Sequence, residues 1–67
     1  MTAIEQNLYE QLKNSKIGKV DINYEGKNTK ITFDVIAEIP ELNERITLEN
    51  ASYKFCRAII EIAQKKS

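Results

Sequence analysis

The chain has 67 residues, with ten basic and ten acidic side chains, one cysteine and no histidine. A chain of this length forms one domain, residues 1–67, with a small core, because short chains bury a small fraction of their surface. Cys56 is the only cysteine, which excludes a disulfide within the chain, and the lack of histidine disfavours a zinc site. Domains this small are often stabilised by a partner subunit, so we expect self-association.

The balanced charge argues against a protein that coats nucleic acid and against an electrostatic membrane anchor. No apolar run approaches the roughly 20 residues of a transmembrane helix, and residues 1–6 lack the pattern of a signal peptide. A single unpaired cysteine without an export signal indicates the cytoplasm. We therefore expect no membrane, metal or cofactor, and we expect Cys56 to be a small buried hydrophobe rather than a reactive thiol.

A helix is predicted over about residues 2–14. Its apolar stripe, at helical spacing, consists of Met1, Ile4, Leu8 and Leu12. Thr2 and Glu5 have the spacing of a capping box, so the helix is expected to begin at Thr2. The other polar residues of this segment, Glu5 included, are expected around the stripe.

Two strands follow, over about residues 17–25 and 31–39, because apolar and polar residues alternate in both. The short connection predicts an antiparallel hairpin with Gly26 and Lys27 as a two-residue type II′ turn. The predicted cross-strand pairs are Val20–Phe33, Ile22–Ile31 and Lys19–Asp34. A shift by one pair would place Asp21 opposite Asp34, and the repulsion between like charges disfavours it.

The rest of the chain predicts a possible third strand at residues 45–48 and a helix over about residues 48–65, capped by Thr47 or Asn50. Pro40 is expected to end the second strand. The order is thus α-β-β-(β)-α. Amphipathic helices and strands with one apolar face predict an α+β fold, a two-layer α/β sandwich with both helices on one face of an antiparallel sheet.

An enzyme is not expected. Without histidine there is no triad and no histidine acid–base pair, and the two glycines do not form a phosphate-binding loop. Three carboxylates, Asp21, Asp34 and Glu38, are expected on the outer face of the sheet. Such a face is shallow, so we interpret them as solvated surface charges.

The last helix has an apolar arc that is much wider than the stripe of about 100° needed to pack on a sheet. Cys56, Ile60 and Tyr53 extend the arc to one side. Two interpretations are open: the first helix covers these residues, or they form an interface with a second subunit or another protein. In the second case Tyr9 is expected to join Tyr53, Cys56 and Ile60, because tyrosines are common at interfaces.

These observations favour a small non-enzymatic protein-interaction or regulatory module, self-associating as a homodimer through its C-terminal helix. Inhibitors, adaptors and phage or plasmid accessory proteins include chains of this size. The alternative is a small nucleic-acid-binding regulator that uses the lysines near the hairpin and the end of the first helix, namely Lys13, Lys16, Lys19, Lys27 and Lys30. Zero net charge provides no long-range attraction, so nucleic acid is the less expected partner.

The predicted order of elements is also that of the double-stranded RNA-binding domain. That family opens its last helix with a lysine cluster directed at phosphates. Residues 48–54 of this chain are Leu-Glu-Asn-Ala-Ser-Tyr-Lys, with one acidic and one basic residue and no lysine cluster. The similarity is therefore one of topology and implies no shared RNA-binding residues.

Overall fold

The computed structural model describes residues 1–65 and has the order α-β-β-β-α. Its elements are α1 (Ala3–Leu12), β1 (Lys16–Glu25), β2 (Asn28–Ile36), a 3-10 turn (Pro40–Leu42), β3 (Glu44–Glu49) and α2 (Tyr53–Lys65). The strands form one antiparallel sheet in the order β1-β2-β3, which confirms the third strand. Both helices pack on one face of this sheet, as the sequence predicts for a small α+β fold.

The capping box of α1 is present. The Glu5 backbone N–H donates to Thr2 Oγ1, and the Thr2 N–H donates to Glu5 Oε1 at 2.8 Å. The predicted apolar stripe is wrong at its N-terminal end, since Ile4 is 70% exposed and Met1 is also exposed. Residues spaced by four drift around a helix by about 40° per step, so Ile4 does not share a face with Leu12.

The face of α1 that packs inward instead follows the spacing of three and four residues. It consists of Glu5, Leu8, Tyr9 and Leu12, of which Leu12 and Glu5 are buried. Glu5, expected on the solvent side, is only 2% exposed. The helix is therefore rotated so that a carboxylate faces inward together with the apolar residues.

The hairpin has the predicted register over most of its length, with Val20 opposite Phe33 and Ile22 opposite Ile31. The turn is the predicted two-residue turn. Gly26 has a φ of 62°, which a type II′ turn requires at its first central position.

The predicted pair between Lys19 and Asp34 is wrong, because β1 has a bulge between Ile17 and Val20. The bulge contains Gly18, where an added Cβ would lie 3.1 Å from Ile36 Cδ1, so this close approach suits glycine. Asp34 instead accepts a hydrogen bond from Arg45 Nε of β3 at 2.9 Å.

The second strand ends at Ile36 rather than at residue 39. The side-chain oxygen of Asn43 accepts a hydrogen bond from the Ala37 N–H at 2.7 Å and so closes the loop between β2 and β3. Pro40 begins the 3-10 turn in this loop, and three residues separate it from the end of the strand.

The predicted start of the last helix at residue 48 is also wrong, because Leu48 and Glu49 belong to β3. Asn50 turns the chain with a φ of 57°, and the Ala51 N–H donates to the Thr29 carbonyl at 2.9 Å. The cap is Ser52, whose hydroxyl accepts from the Phe55 N–H, rather than Thr47 or Asn50.

The core lies between the sheet and α2. Ile31 and Phe33 of β2 and Phe55 and Ile59 of α2 are fully buried. The two phenylalanine rings are tilted by 54° with centroids 6.5 Å apart, a geometry typical of favourable aromatic pairs. The outer face of the sheet carries polar pairs, among them the hydroxyls of Thr32 and Thr47 at 3.2 Å.

Candidate protein-interaction surface

The outer side of α2 carries side chains that the core does not use. Tyr53 and Ile60 are seven residues apart, about two helical turns, and therefore lie one above the other. Tyr53 is 71% exposed and Ile60 is half-buried. Arg57 lies between them and is exposed. We call Tyr53, Arg57 and Ile60 the α2 flank.

Within the α2 flank, Arg57 holds the ring of Tyr53. The Arg57 Nη1 donates a hydrogen bond to the Tyr53 hydroxyl at 3.0 Å, and the guanidinium carbon lies 5.8 Å from the ring centroid. The hydrogen bond to Tyr53 is the main reason why the pKa of Arg57 is raised. The contact combines a hydrogen bond with a cation–π interaction and so restricts the rotamers of an exposed aromatic side chain.

The other two residues of the predicted interface are not on this surface. Cys56 is buried in the core, which confirms the expectation of a small buried hydrophobe. Burial, and to a smaller extent the charge of Glu5, raises the pKa of the Cys56 thiol, so the thiolate is disfavoured. Tyr9 is half-buried and packs against the core. Tyr53 and Ile60 are the two predicted residues that share the outer side of α2.

Sequence reasoning missed the polar centre of the molecule, Glu5. Its carboxylate accepts hydrogen bonds from the Ser52 N–H at 2.7 Å and the Ser52 hydroxyl at 2.9 Å, besides the bond from Thr2. Burial alone would raise the pKa of this carboxyl, but the hydrogen bonds from Ser52 and Thr2 outweigh it and the pKa is lowered. The capping-box spacing was the only signal, and it indicated the bond to Thr2 alone.

The five lysines of the nucleic-acid alternative are spread over the molecule. Lys13 forms an ion pair with Glu10 at 2.9 Å, and Lys19 lies 3.9 Å from Asp21. Lys16 begins β1 and Lys27 lies in the turn beyond its other end, so about 30 Å of strand separates them. Lys30, near the turn, stands opposite Asn23 and Glu49 in the sheet. No observation thus favours one basic surface.

Of the three carboxylates predicted on the outer sheet face, two lie in the sheet and one lies outside it. Asp34 is bound by Arg45, Asp21 lies near Lys19, and Glu38 lies in the loop beyond β2. In residues 1–65 no group of three potential metal ligands is found.

Two surface depressions have volumes of about 150 Å³ and about 270 Å³. The smaller lies near the hairpin turn and is lined by Glu25, Asn28, Thr29, Lys30, Glu49 and Asn50. The larger lies at the end of α2, beside Glu61, Gln64 and Lys65. Small-molecule sites usually occupy about 300–1,000 Å³ in a concave pocket. The smaller depression is well below this volume and the larger is shallow and open to solvent, so neither resembles one.

Comparison with protein-family models, with characterised proteins and with solved structures finds no match to this chain. Neither helix in residues 1–65 is long and apolar enough to cross a membrane.

Proposed function

We propose that this chain is a non-enzymatic protein-interaction module whose contact surface for a protein partner is the α2 flank. The observation that carries the proposal is the Tyr53–Arg57 contact, an exposed aromatic ring held in place by an exposed arginine. Tyrosine and arginine are enriched among the residues that dominate the energy of protein interfaces.

The contact matters because binding must order the side chains that it buries, at a cost of about 0.5–1.5 kcal/mol for each flexible side chain. In the α2 flank, the contact with Arg57 restrains Tyr53 and so offsets part of this cost. Ile60 adds half-exposed apolar surface on the same side of the helix. A restrained aromatic side chain beside an aliphatic one is the arrangement expected at the centre of a binding surface.

Tyr24 provides the internal comparison. It is 73% exposed, nearly the same as Tyr53, but it lies near the hairpin turn and forms no hydrogen bond or ring contact within residues 1–65. Exposure alone therefore does not distinguish Tyr53. The restraint by Arg57 and the neighbouring Ile60 do.

A regulatory or inhibitory role is consistent with this surface, because blocking or bridging a partner needs a complementary face and no catalytic group. We place the protein in the cytoplasm, since a single unpaired cysteine is typical of a reducing compartment. The proposal includes no cofactor, metal or nucleic acid.

The test uses the full chain as bait in lysate of its native host, followed by affinity measurements on the purified partner. We expect Tyr53→Ala to weaken binding at least tenfold, as substitution of a central interface residue does. The matched control is Tyr24→Ala, which removes an equally exposed ring and should leave the affinity unchanged. Circular dichroism of both variants checks that the fold is retained.

Equal effects of the two tyrosine substitutions, or no effect of Tyr53→Ala, would contradict the proposal. Ile60→Glu provides a second variant, expected to weaken partner binding with the fold intact. The same variant tests self-association through α2. If the α2 flank also joins two copies, Ile60→Glu converts a dimer to a monomer in light scattering.

A further inference from the structure

The two edges of the sheet differ in how well they are protected against pairing with another strand. On β1, a bulge at Gly18 and Lys19 interrupts the edge in the first part of the strand, where Lys16 and Lys19 also add charge, and beyond it Val20 to Glu25 pair regularly with β2. Bulges and lysines are the usual means of blocking an edge. On β3 the pairing with β2 is regular from Glu44 to Glu49, without bulge, proline or lysine. The edge of β3 is thus open to a further strand.

The side chains of β3 alternate between the two faces of the sheet. Arg45, Thr47 and Glu49 are on the outer face, and Ile46 and Leu48 are on the face toward the helices, opposite Phe33 and Ile31. In an antiparallel pair, residues directly opposite each other point to the same face. Pairing of β3 with its own copy therefore puts polar residues against polar ones and apolar against apolar.

We propose that β3 pairs antiparallel with β3 of a second copy of this chain, with Thr47 on the two-fold axis, to form a six-stranded sheet. In this register each Arg45 stands opposite Glu49 of the second copy, and each Ile46 opposite Leu48. Arg45 and Glu49 thus carry opposite charges at equal distances from Thr47, which makes this part of the strand complementary to itself, as a two-fold symmetric interface requires. Opposite charges and apolar pairs across strands are favourable.

The charged groups are free to make these contacts. Arg45 uses Nε for Asp34, which leaves its two terminal amino groups for another carboxylate. Glu49 forms no ion pair within residues 1–65. Ile46 and Leu48 are half-buried, so part of their surface is still to be covered. Centring the pair on Ile46 instead places Glu44 opposite Leu48 and loses both ion pairs.

The helices leave room for the second copy. Of the three strands, β1 has the closest contact with α2, and β1 is at the opposite edge of the sheet from β3. After Glu49 the chain turns at Asn50, and the Ala51 N–H donates to the Thr29 carbonyl of β2. The chain therefore does not run along the free edge of β3. A Thr32–Thr47 hydroxyl pair from each copy lies at the centre of the joined sheet.

The first test is a charge exchange, with the dissociation constant of the dimer measured by sedimentation. Arg45→Glu places glutamates opposite each other and should weaken the dimer about tenfold or more, and Glu49→Arg should do the same. The double variant restores opposite charges across the interface and should restore the dimer. The contact between Arg45 and Asp34 within each copy remains lost in this variant. Lys19→Glu, a charge reversal on the β1 edge, is the matched control and should leave the dimer unchanged.

The second test fixes the register. With Thr47 on the axis, Thr47→Cys puts two thiols directly opposite each other, within reach of a disulfide, so oxidation should give a covalent dimer. Lys19→Cys should remain a monomer on the denaturing gel. The wild-type chain, whose one thiol is the buried Cys56, shows how much covalent dimer forms without an added cysteine.

A wild-type chain that stays monomeric at several hundred micromolar overturns the proposal. So does a dimer that resists both single charge reversals. The proposal is independent of the α2 flank, so Ile60→Glu should leave a dimer that is joined through β3 intact. A dimer that is lost with Ile60→Glu but persists with Arg45→Glu would instead assign self-association to α2.

Discussion

The carboxylate of Glu5 accepts two hydrogen bonds from Ser52, one from its backbone N–H at 2.7 Å and one from its hydroxyl at 2.9 Å. Ser52 in turn caps α2 through the N–H of Phe55. The N-terminus of a helix carries a partial positive charge, and those of α1 and α2 meet here. One carboxylate therefore compensates both helix ends and fixes α1 against α2.

We expect Glu5→Gln to lower the free energy of unfolding by about 2 kcal/mol. Glutamine retains the shape, but it loses the charge, and its amide N–H₂ faces a donor of Ser52 or Thr2 in either orientation. For a domain of this size the loss corresponds to a fall in Tm of about 10 °C. Thermal unfolding followed by circular dichroism measures it.

The control for this substitution is Glu10→Gln. Glu10 is exposed and bonds to neighbours on its own helix, Gln6 and Lys13, rather than to another element. Its replacement should change Tm little. Equal effects at the two positions would show that Glu5 does not join the helices.

The lowered pKa of Glu5 makes the free energy of unfolding depend on pH in the acidic range. Because the carboxyl binds its proton less readily in the folded chain, its contribution is present above the ordinary value of 4.5 and is lost as the pH falls through the lower folded value. Denaturant unfolding between pH 7 and pH 2.5 should show a steeper loss below pH 4.5 for wild type than for Glu5→Gln. Parallel curves for the two proteins would contradict this assignment.

The face that α1 buries can be tested by two alanine substitutions. Leu12 is buried, so Leu12→Ala should cost about 2–4 kcal/mol of stability, as core truncations do. Ile4 is mostly exposed, and Ile4→Ala should cost no more than about 0.5 kcal/mol. Urea unfolding curves of both variants provide the comparison. A large loss of stability in Ile4→Ala would contradict the observed orientation of α1 and support the apolar stripe predicted from the sequence.

Because the cap of α2 is Ser52 rather than Thr47 or Asn50, substitution of Ser52 should lower stability more than substitution of the other two residues. Ser52→Ala removes both the cap and the hydroxyl bond to Glu5, and should cost about 1–2 kcal/mol. Asn50→Gly should be tolerated, because glycine adopts the positive φ found there without strain. Thr47→Ala, at the other predicted cap, should leave the helix content unchanged by circular dichroism. If Ser52→Ala keeps both its helix content and its full stability, this order is contradicted.

The parts of the fold that local rules determine were predictable. The Gly26 turn and the pairing of Ile22 with Ile31 follow from turn geometry and from alternation within ten residues. The capping box between Thr2 and Glu5 is equally local. Tyr53 and Ile60 were found as candidate interface residues because helical spacing alone separates them from the stripe of Phe55 and Ile59.

The errors arise where distant parts of the chain meet. Burial of Glu5 depends on Ser52, 47 positions later, and no local pattern indicates it. Cys56 was left open between the core and an interface, because the sequence does not show which side of α2 the first helix covers; the structure places it in the core. Leu48 fits both a helix and a strand, and pairing with Ile31 decides for the strand.

The two-residue turn at Gly26 also has a consequence for the order of folding. Closing this turn costs little chain entropy, so the β1–β2 hairpin is expected to form early, and β3 follows by a short loop. Docking of α1 must wait until Ser52 is in place, because their contact closes a loop of 47 positions. In native-state hydrogen exchange, amides of α1 should therefore open at lower free energy than those of β2, and α1 is the element that leaves first.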